Sequence, residues 1–187
     1  MKKAIKIFLD TEFTGLHQNT NLISLGMVAE TGQEFYAEFN DYDPSQLNPW
    51  LEEHVLKKLD FKNVQELVEE TESSIKMKGT KIQVREVLEK WLLEFDFIEI
   101  WADVLAYDWV LFCELFGGAM KIPENIFYAP FDLATFFRLK GYIVPHSKFN
   151  KDLARFQFAE MDNDKQHHAL SDAKVEFLCH QNLESLK

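Results

Sequence analysis

Only two cysteines, Cys113 and Cys179, occur in 187 residues, and they do not form a CxxC pair. A cysteine-built metal centre is therefore not expected, and both thiols fall inside apolar helical patterns that suit core packing. No stretch approaches the roughly 20 uninterrupted apolar residues that a membrane-spanning helix requires. The N-terminal run Ala4-Ile5-Lys6-Ile7-Phe8-Leu9-Asp10 is broken by Lys6 and Asp10 and lacks a small-residue cleavage site, so it reads as a buried strand rather than a leader. These absences predict a cytoplasmic chain with no membrane partner. An excess of positive charge is also missing: 20 Lys and Arg stand against 31 Asp and Glu, for a net charge of −11. Such a field repels polyanions and argues against a nucleic-acid-binding module built on a basic surface. An enzyme that grips a few nucleotides at one site escapes that objection. No internal repeat or linker is visible, so residues 1–187 read as one domain.

What is present is an ordinary globular composition, 47% hydrophobic and 27% charged. Strands are expected over Lys3 to Glu12, Leu22 to Ala29 and, after the turn Thr31-Gly32, Glu34 to Phe39. Asn48-Pro49 opens a helix to about Leu59, and Asn63 with Glu66 resembles the start of a second short one. The polar run from Glu69 to Gly79 reads as an exposed, mobile loop. Val84, Leu88, Trp91, Leu92 and Phe95 share one face of a helix from Lys81 to Phe95. There follow a strand from Phe97 to Val104, a helix from Asp108 to Phe116 ended by Gly117-Gly118, and a strand near Ile126 to Tyr128. A helix from Asp132 is stopped by Gly141, and a long one runs from His168 to Leu186. Three strands followed by alternating helices and strands predict a mixed α/β sheet with helices on its faces.

Asp10 and Glu12 end the first strand two residues apart, so both carboxylates project to one face and Thr11 to the other. Paired carboxylates at the edge of a core repel and lose hydration, and they require protons, partners or a cation. A strand ending in solvent shows the same Asp-x-Glu, so the pair gains weight only from the far end of the chain. There His167 stands five residues before Asp172, at a helix start. Five helical residues turn through about 500°, so His167 belongs in the entering loop and Asp172 in the second turn, facing inward. His168 is an alternative to His167, and a histidine at a helix start also serves as a cap.

Together these residues resemble the DEDD superfamily of 3′-5′ exonucleases, in its DEDDh subgroup, whose third motif is H-x-A-x-x-D and which includes ribonuclease T-like enzymes. The first motif, D-x-E-x-T-G, is similar to Asp10-Thr11-Glu12-Phe13-Thr14-Gly15, and the third to His167-His168-Ala169-Leu170-Ser171-Asp172. The stretch from Leu22 through Gly32 to Phe39 is similar to a bacterial and phage exoribonuclease branch. The middle motif places an Asp near the start of a helix after the fourth strand, and Ala106-Tyr107-Asp108-Trp109 resembles it. Asp103, in Trp101-Ala102-Asp103-Val104, is the competing residue. The superfamily often carries Asn or His upstream where this chain has Trp101 and Ala102.

The resemblance implies a ribonuclease H-like fold with a mixed five-stranded sheet, three strands antiparallel and the rest parallel, flanked by helices. It implies that Asp10, Glu12, Asp108 and Asp172 hold two divalent cations, Mg²⁺ or Mn²⁺, which suit hard oxygen ligands. His167, with an unperturbed pKa of about 6.5, would take a proton from water, so activity is expected to fall on acidification through that range. The substrate would be the 3′ end of single-stranded RNA or DNA, with RNA preferred. Phe13, Thr14, Gly15 and Leu16 follow the ligand pair and are expected to touch the terminal base and sugar, although Phe13 and Leu16 also suit core packing. Lys140, Lys148, Lys151, Arg155 and Lys165 form the densest basic region, near the site in sequence, where contacts to backbone phosphates are one reading, while a solvated face is the expected role of any single one. Among the phenylalanines, Phe131, Phe136, Phe137, Phe149, Phe156 and Phe158 suit the core, with base stacking or a subunit contact as alternatives. A homodimer is implied because ribonuclease T-like enzymes pair. Competing readings are an exodeoxyribonuclease on single-stranded DNA and a catalytically silent binding module. An Asp-x-Asp phosphatase is disfavoured because Glu12 replaces its second Asp.

Overall fold

The computed structural model describes residues 3–142 and 151–186, with only the backbone at 151–153. Its centre is a seven-stranded mixed sheet. The strands are β1 (Ile5–Phe13), β2 (Leu22–Ala29), β3 (Glu34–Phe39), β4 (Leu67–Glu70), β5 (Ser74–Gly79), β6 (Ile98–Ala102) and β7 (Phe131–Asp132), in the order β4-β5-β3-β2-β1-β6-β7. β1, β2 and β3 form the expected antiparallel meander; β6 joins β1 in parallel and β7 joins β6 in parallel. This is the α/β, ribonuclease H-like arrangement, with seven strands instead of five.

Of the two additional strands, β5 lies within the stretch expected to be a loop and β4 straddles its start. β5 pairs in parallel with β3, and β4 folds back on β5. Ile75, Met77 and Gly79 of β5 are buried on one face, while Lys76 and Lys78 point to the other, where Lys78 pairs with buried Glu38. A period of two is therefore present, carried by so few apolar residues that the polar neighbours hide it. The short helix expected from Asn63 is absent, and that segment forms turns and bends. Near Ile126 a single bridge to Ile98 replaces the expected strand, and the edge position is taken by β7.

Helices cover both faces. They are α1 (Pro49–His54), α2 (Lys81–Leu92), α3 (Ala106–Leu115), α4 (Leu133–Leu139), α5 (Lys151–Phe158) and α6 (Ala169–Ser185). α1 is shorter than expected and passes into a single 3-10 turn at Leu56–Lys58. α5 has no counterpart among the expected elements. On one face, Ile7 and Leu9 of β1 pack with Leu25, Met27, Phe35, Leu88 and Phe112, joining the sheet to α2 and α3. On the other, Val28 and Tyr36 pack with Ala169, Leu170 and Ala173 of α6, and Val175, Cys179 and Leu183 of α6 gather Phe137 and Phe156. Cys113 and Cys179 are buried and unpaired, as core packing requires, and burial pushes their thiols up to about 11 and about 12. Among the described residues no helix is long and apolar enough to cross a membrane.

Gly26 of β2, paired in register with Asp10, sets how near α6 comes to the sheet. A Cβ at this position would lie 2.3 Å from the Ala169 carbonyl carbon and the Leu170 nitrogen. Only glycine admits the first turn of α6 this close, and that turn brings the end of the chain to the end of β1.

Candidate active site

The alternation of β1 sorts its side chains. Thr11 points toward α3, where its N–H and hydroxyl both donate to Asp108 Oδ1, at 3.0 and 2.6 Å. Asp10 and Glu12 point to the α6 side and line a cavity of about 670 Å³ that Asp108, His167 and Asp172 also line. Asp108 is the third residue of α3 and Asp172 the fourth of α6, so both sit near helix N-termini, where backbone N–H groups favour negative charge.

Glu12, His167 and Asp172 bring potential ligand atoms within 4.8 Å of one another. His167 Nδ1 stands 3.8 Å from Glu12 Oε1, and the His167 N–H donates to Asp172 Oδ2 at 2.9 Å. His167 lies in the entering loop, with a left-handed φ of 65°. Asp10 keeps partial exposure as a residue, but its Oδ2 is sealed from solvent without a hydrogen-bond partner. Burial, followed by the charges of Asp172, Asp108, Glu12 and Glu176, holds the Asp10 carboxyl well above the usual carboxylate range. A carboxylate so placed is costly when ionised. A cation bound among these oxygens would relieve both its desolvation and its repulsion, so the donor set fits hard divalent ions.

The members of each paired alternative sit in different surroundings. His168 is the N-cap of α6, stacks on Tyr36 with ring centroids 4.6 Å apart and lies 3.4 Å from Asp60, away from the cavity. Burial holds its imidazole below the usual range. Asp103 lines the cavity too, but its two oxygens receive a bidentate pair from Arg155, at 2.9 and 3.2 Å. Asp108 is among the charges that act on Asp10.

Arg155 overturns one expectation. Instead of a solvated surface residue it is 5% exposed, and its guanidinium lies 3.8 Å from the centroid of the Phe137 ring. Lys140 lies over Phe136, and Lys165 is exposed. Lys148, Phe149 and the side chain of Lys151 lie outside the described residues. Of the remaining phenylalanines, Phe137 and Phe156 are buried, while Phe131 and Phe136 pack on Trp101.

Of the four residues that follow the ligand pair, Phe13 stacks on Tyr107 with centroids 5.3 Å apart. The Thr14 hydroxyl is committed to the loop: it donates to Gln46, accepts from the Asn21 N–H and meets Thr20. Gly15 lines the cavity and Leu16, 77% exposed, stands at its rim. The sequence reading missed Glu176 and Trp50, and named Arg155 only as a basic residue and not as the partner of Asp103. Glu176, one turn beyond Asp172, accepts the Asp103 N–H at 2.8 Å and adds to the charge around Asp10. Its i, i+4 spacing from Asp172 was the available signal. Trp50, 50% exposed on α1, meets the His167 ring, and nothing local in the sequence marks it.

Comparison with known proteins places the chain in a family. Residues 5–183 match the family described as the 3′-5′ exoribonuclease Rv2179c-like domain. The chain is similar to two curated 3′-5′ exoribonucleases, Rv2179c and MT2234.1, from Mycobacterium tuberculosis strains H37Rv and CDC 1551. Each is 33% identical over 128 residues, which span 65% of this chain and 67% of the relative. Among solved structures it is similar to the zinc-bound form of the E. coli ExoI–ssDNA complex, with a TM-score of 0.60 and 11% identity. That match covers 98% of this chain and 41% of that one. At this identity the likeness speaks for the fold alone, and the chain spans less than half of ExoI.

Proposed function

The chain belongs to the 3′-5′ exoribonuclease Rv2179c-like family, and from that premise we propose that it removes nucleotides from the 3′ end of single-stranded RNA with divalent metal ions. In this reading Asp10, Glu12, Asp108 and Asp172 hold two cations, Mg²⁺ or Mn²⁺. The observation that carries it is the sealed, partnerless Asp10 Oδ2 among the charges of four further carboxylates, with an imidazole beside Glu12. Bound there, the ions would acidify water and neutralise charge on the phosphodiester.

The remaining steps belong to the chain's own residues. Thr11 fixes Asp108 through two hydrogen bonds, so that carboxylate is oriented before any ligand arrives. Asp172 accepts the His167 N–H and ties the loop to α6. With Nδ1 turned toward Glu12, the imidazole is placed to carry its proton on that nitrogen and to accept one from water on Nε2. Phe13, Thr14, Gly15 and Leu16 line or rim the cavity where a terminal base and sugar would sit, and the Thr14 hydroxyl also holds the loop's shape. RNA is preferred on the strength of the family, and a homodimer belongs to the same proposal.

The test incubates 5′-labelled single-stranded RNA and a matched DNA with Mn²⁺ or Mg²⁺, for wild type, Asp10→Ala and His167→Ala. Stepwise shortening of RNA from its 3′ end is expected in wild type, with loss in both variants and in EDTA. Equal activity in all three proteins would reject the assignment, faster DNA cleavage would replace the substrate, and sedimentation checks the dimer.

A further inference from the structure

His167 keeps a left-handed backbone, φ 65°, which a non-glycine residue holds only where its surroundings over-determine it. The Asp172 carboxylate fixes its main chain through the N–H, but that bond leaves the side-chain torsions open. The ring itself meets Glu12, at 3.8 Å from Nδ1, and the Trp50 indole, edge-to-face, with centroids 5.1 Å apart and planes at 73°. When Glu12 takes a cation its charge is shared, whereas the indole is a wall that changes no partner.

Trp50 is itself braced. Asn48 caps α1 by accepting the Leu51 N–H at 3.0 Å, and Leu51 and Val55 are buried against Ile23. One turn on, His54 stacks on Trp50 with centroids 4.9 Å apart and planes at 14°, and its Nδ1 lies 3.0 Å from the Trp50 carbonyl. His54 in turn stands perpendicular to His167, 6.5 Å away. The indole is thus engaged on two sides by imidazoles, which favours a role in orienting His167 over a role as a free platform for a base.

We propose that Trp50, braced by His54, is a positioning residue that holds the His167 imidazole over the carboxylate cluster. The inference rests on the reading of His167 as the base.

The experiment measures kcat and KM on a 5′-labelled single-stranded RNA decamer with Mn²⁺ for wild type, Trp50→Ala, Trp50→Phe, His54→Ala and His167→Ala. His167 ring-proton NMR signals are recorded in the metal-free proteins, with thermal unfolding as a check of folding. Trp50→Ala is expected to lower kcat by about tenfold or more with KM little changed, to move the His167 signals as the indole ring current disappears, and to be largely rescued by Trp50→Phe. His54→Ala should fall between. A raised KM with kcat retained would make Trp50 a substrate surface and overturn the inference, as would unmoved His167 signals or a kcat loss that Trp50→Phe does not recover. Full activity in His167→Ala would defeat the base assignment itself. Loss in His167→Ala with none in Trp50→Ala would defeat the positioning role alone.

Discussion

Gly26→Ala tests the close approach on which the whole site depends. The added methyl would start 2.3 Å from the Ala169 carbonyl carbon and 2.4 Å from Leu170 Cα, and all the atoms it meets are backbone, so no side chain can swing aside. Ordinary contact begins at 3.4 Å, so α6 must retreat by about 1 Å or the sheet must buckle by as much. Overpacking of this kind costs about 1–3 kcal/mol, and each kcal/mol lowers the Tm of a domain this size by about 2–4 °C. The larger effect is on catalysis. Ala169 follows His167 by two positions and precedes Asp172 by three, while Gly26 faces Asp10 across the β1–β2 ladder. A shift there moves the imidazole and Asp172 away from Asp10, Glu12 and Asp108, and a misplacement of about 1 Å can lower the rate roughly 10²-fold. The assay is kcat/KM for 5′-labelled RNA with Mn²⁺, measured well below the variant's Tm. Gly32→Ala is the control: that turn has φ +100° but nothing within 4 Å of an added Cβ, so it should lose stability without losing activity. If Gly26→Ala cleaves within about threefold of wild type, the argument that α6 contact delivers the site is wrong.

Asp10→Asn should abolish cleavage yet stabilise the metal-free protein. With its carboxyl raised in the fold, first by burial and then by Asp172, Asp108, Glu12 and Glu176, Asp10 favours folding fully below the ordinary Asp value of about 3.9 and loses that contribution as pH rises toward the raised value. Calorimetry in EDTA at pH 7 should show the Asn variant melting at least ~2–4 °C higher, with a smaller difference at pH 5, and an unchanged or lower Tm would contradict this. Arg155→Ala strips the partner from a buried Asp103, whose side chain is 8% exposed, and should cost about 3–5 kcal/mol in denaturant unfolding. Adding Asp103→Ala should recover part of that loss, and a fully additive double variant would refute the pairing. Because burial pushes Cys113 and Cys179 up to about 11 and about 12, iodoacetamide at pH 7.5 should leave activity unchanged, and rapid inactivation would mean that a thiol is accessible.

The elements that the sequence revealed are those whose burial follows a strong local rhythm. β2 is apolar at nearly every position because both of its faces are covered, and all eight of its residues are buried. α2 carries a capping box between Thr80 and Gln83 as well as its apolar face. The strands that escaped depend on partners. β5 buries Ile75 and Met77 only because β3, far back in the chain, offers a free edge, and β4 exists as the antiparallel cover of β5. β7 has two residues and is defined by its ladder with Trp101 and Ala102. No local pattern can announce a pairing whose other half is elsewhere.

The same distinction runs through the site and explains how so acidic a chain can take a polyanion. Asp10, Glu12 and Asp172 were legible because strand alternation and helical pitch state where a carboxylate points. What could not be read is how charge is shared among elements. Arg155 becomes a buried cation only where β6 delivers Asp103 and α4 delivers Phe137, and Glu176 joins the cluster only because α6 docks against Gly26. Arg155 answers Asp103 in a bidentate pair, whereas Asp10 is left with the repulsion of four carboxylates. The buried arginine thus answers the neighbouring aspartate, and in the function proposed above a cation would answer the β1 carboxylate. On that proposal an overall charge of −11 would not oppose substrate binding, because the phosphodiester would meet ions concentrated by these carboxylates instead of the bare protein.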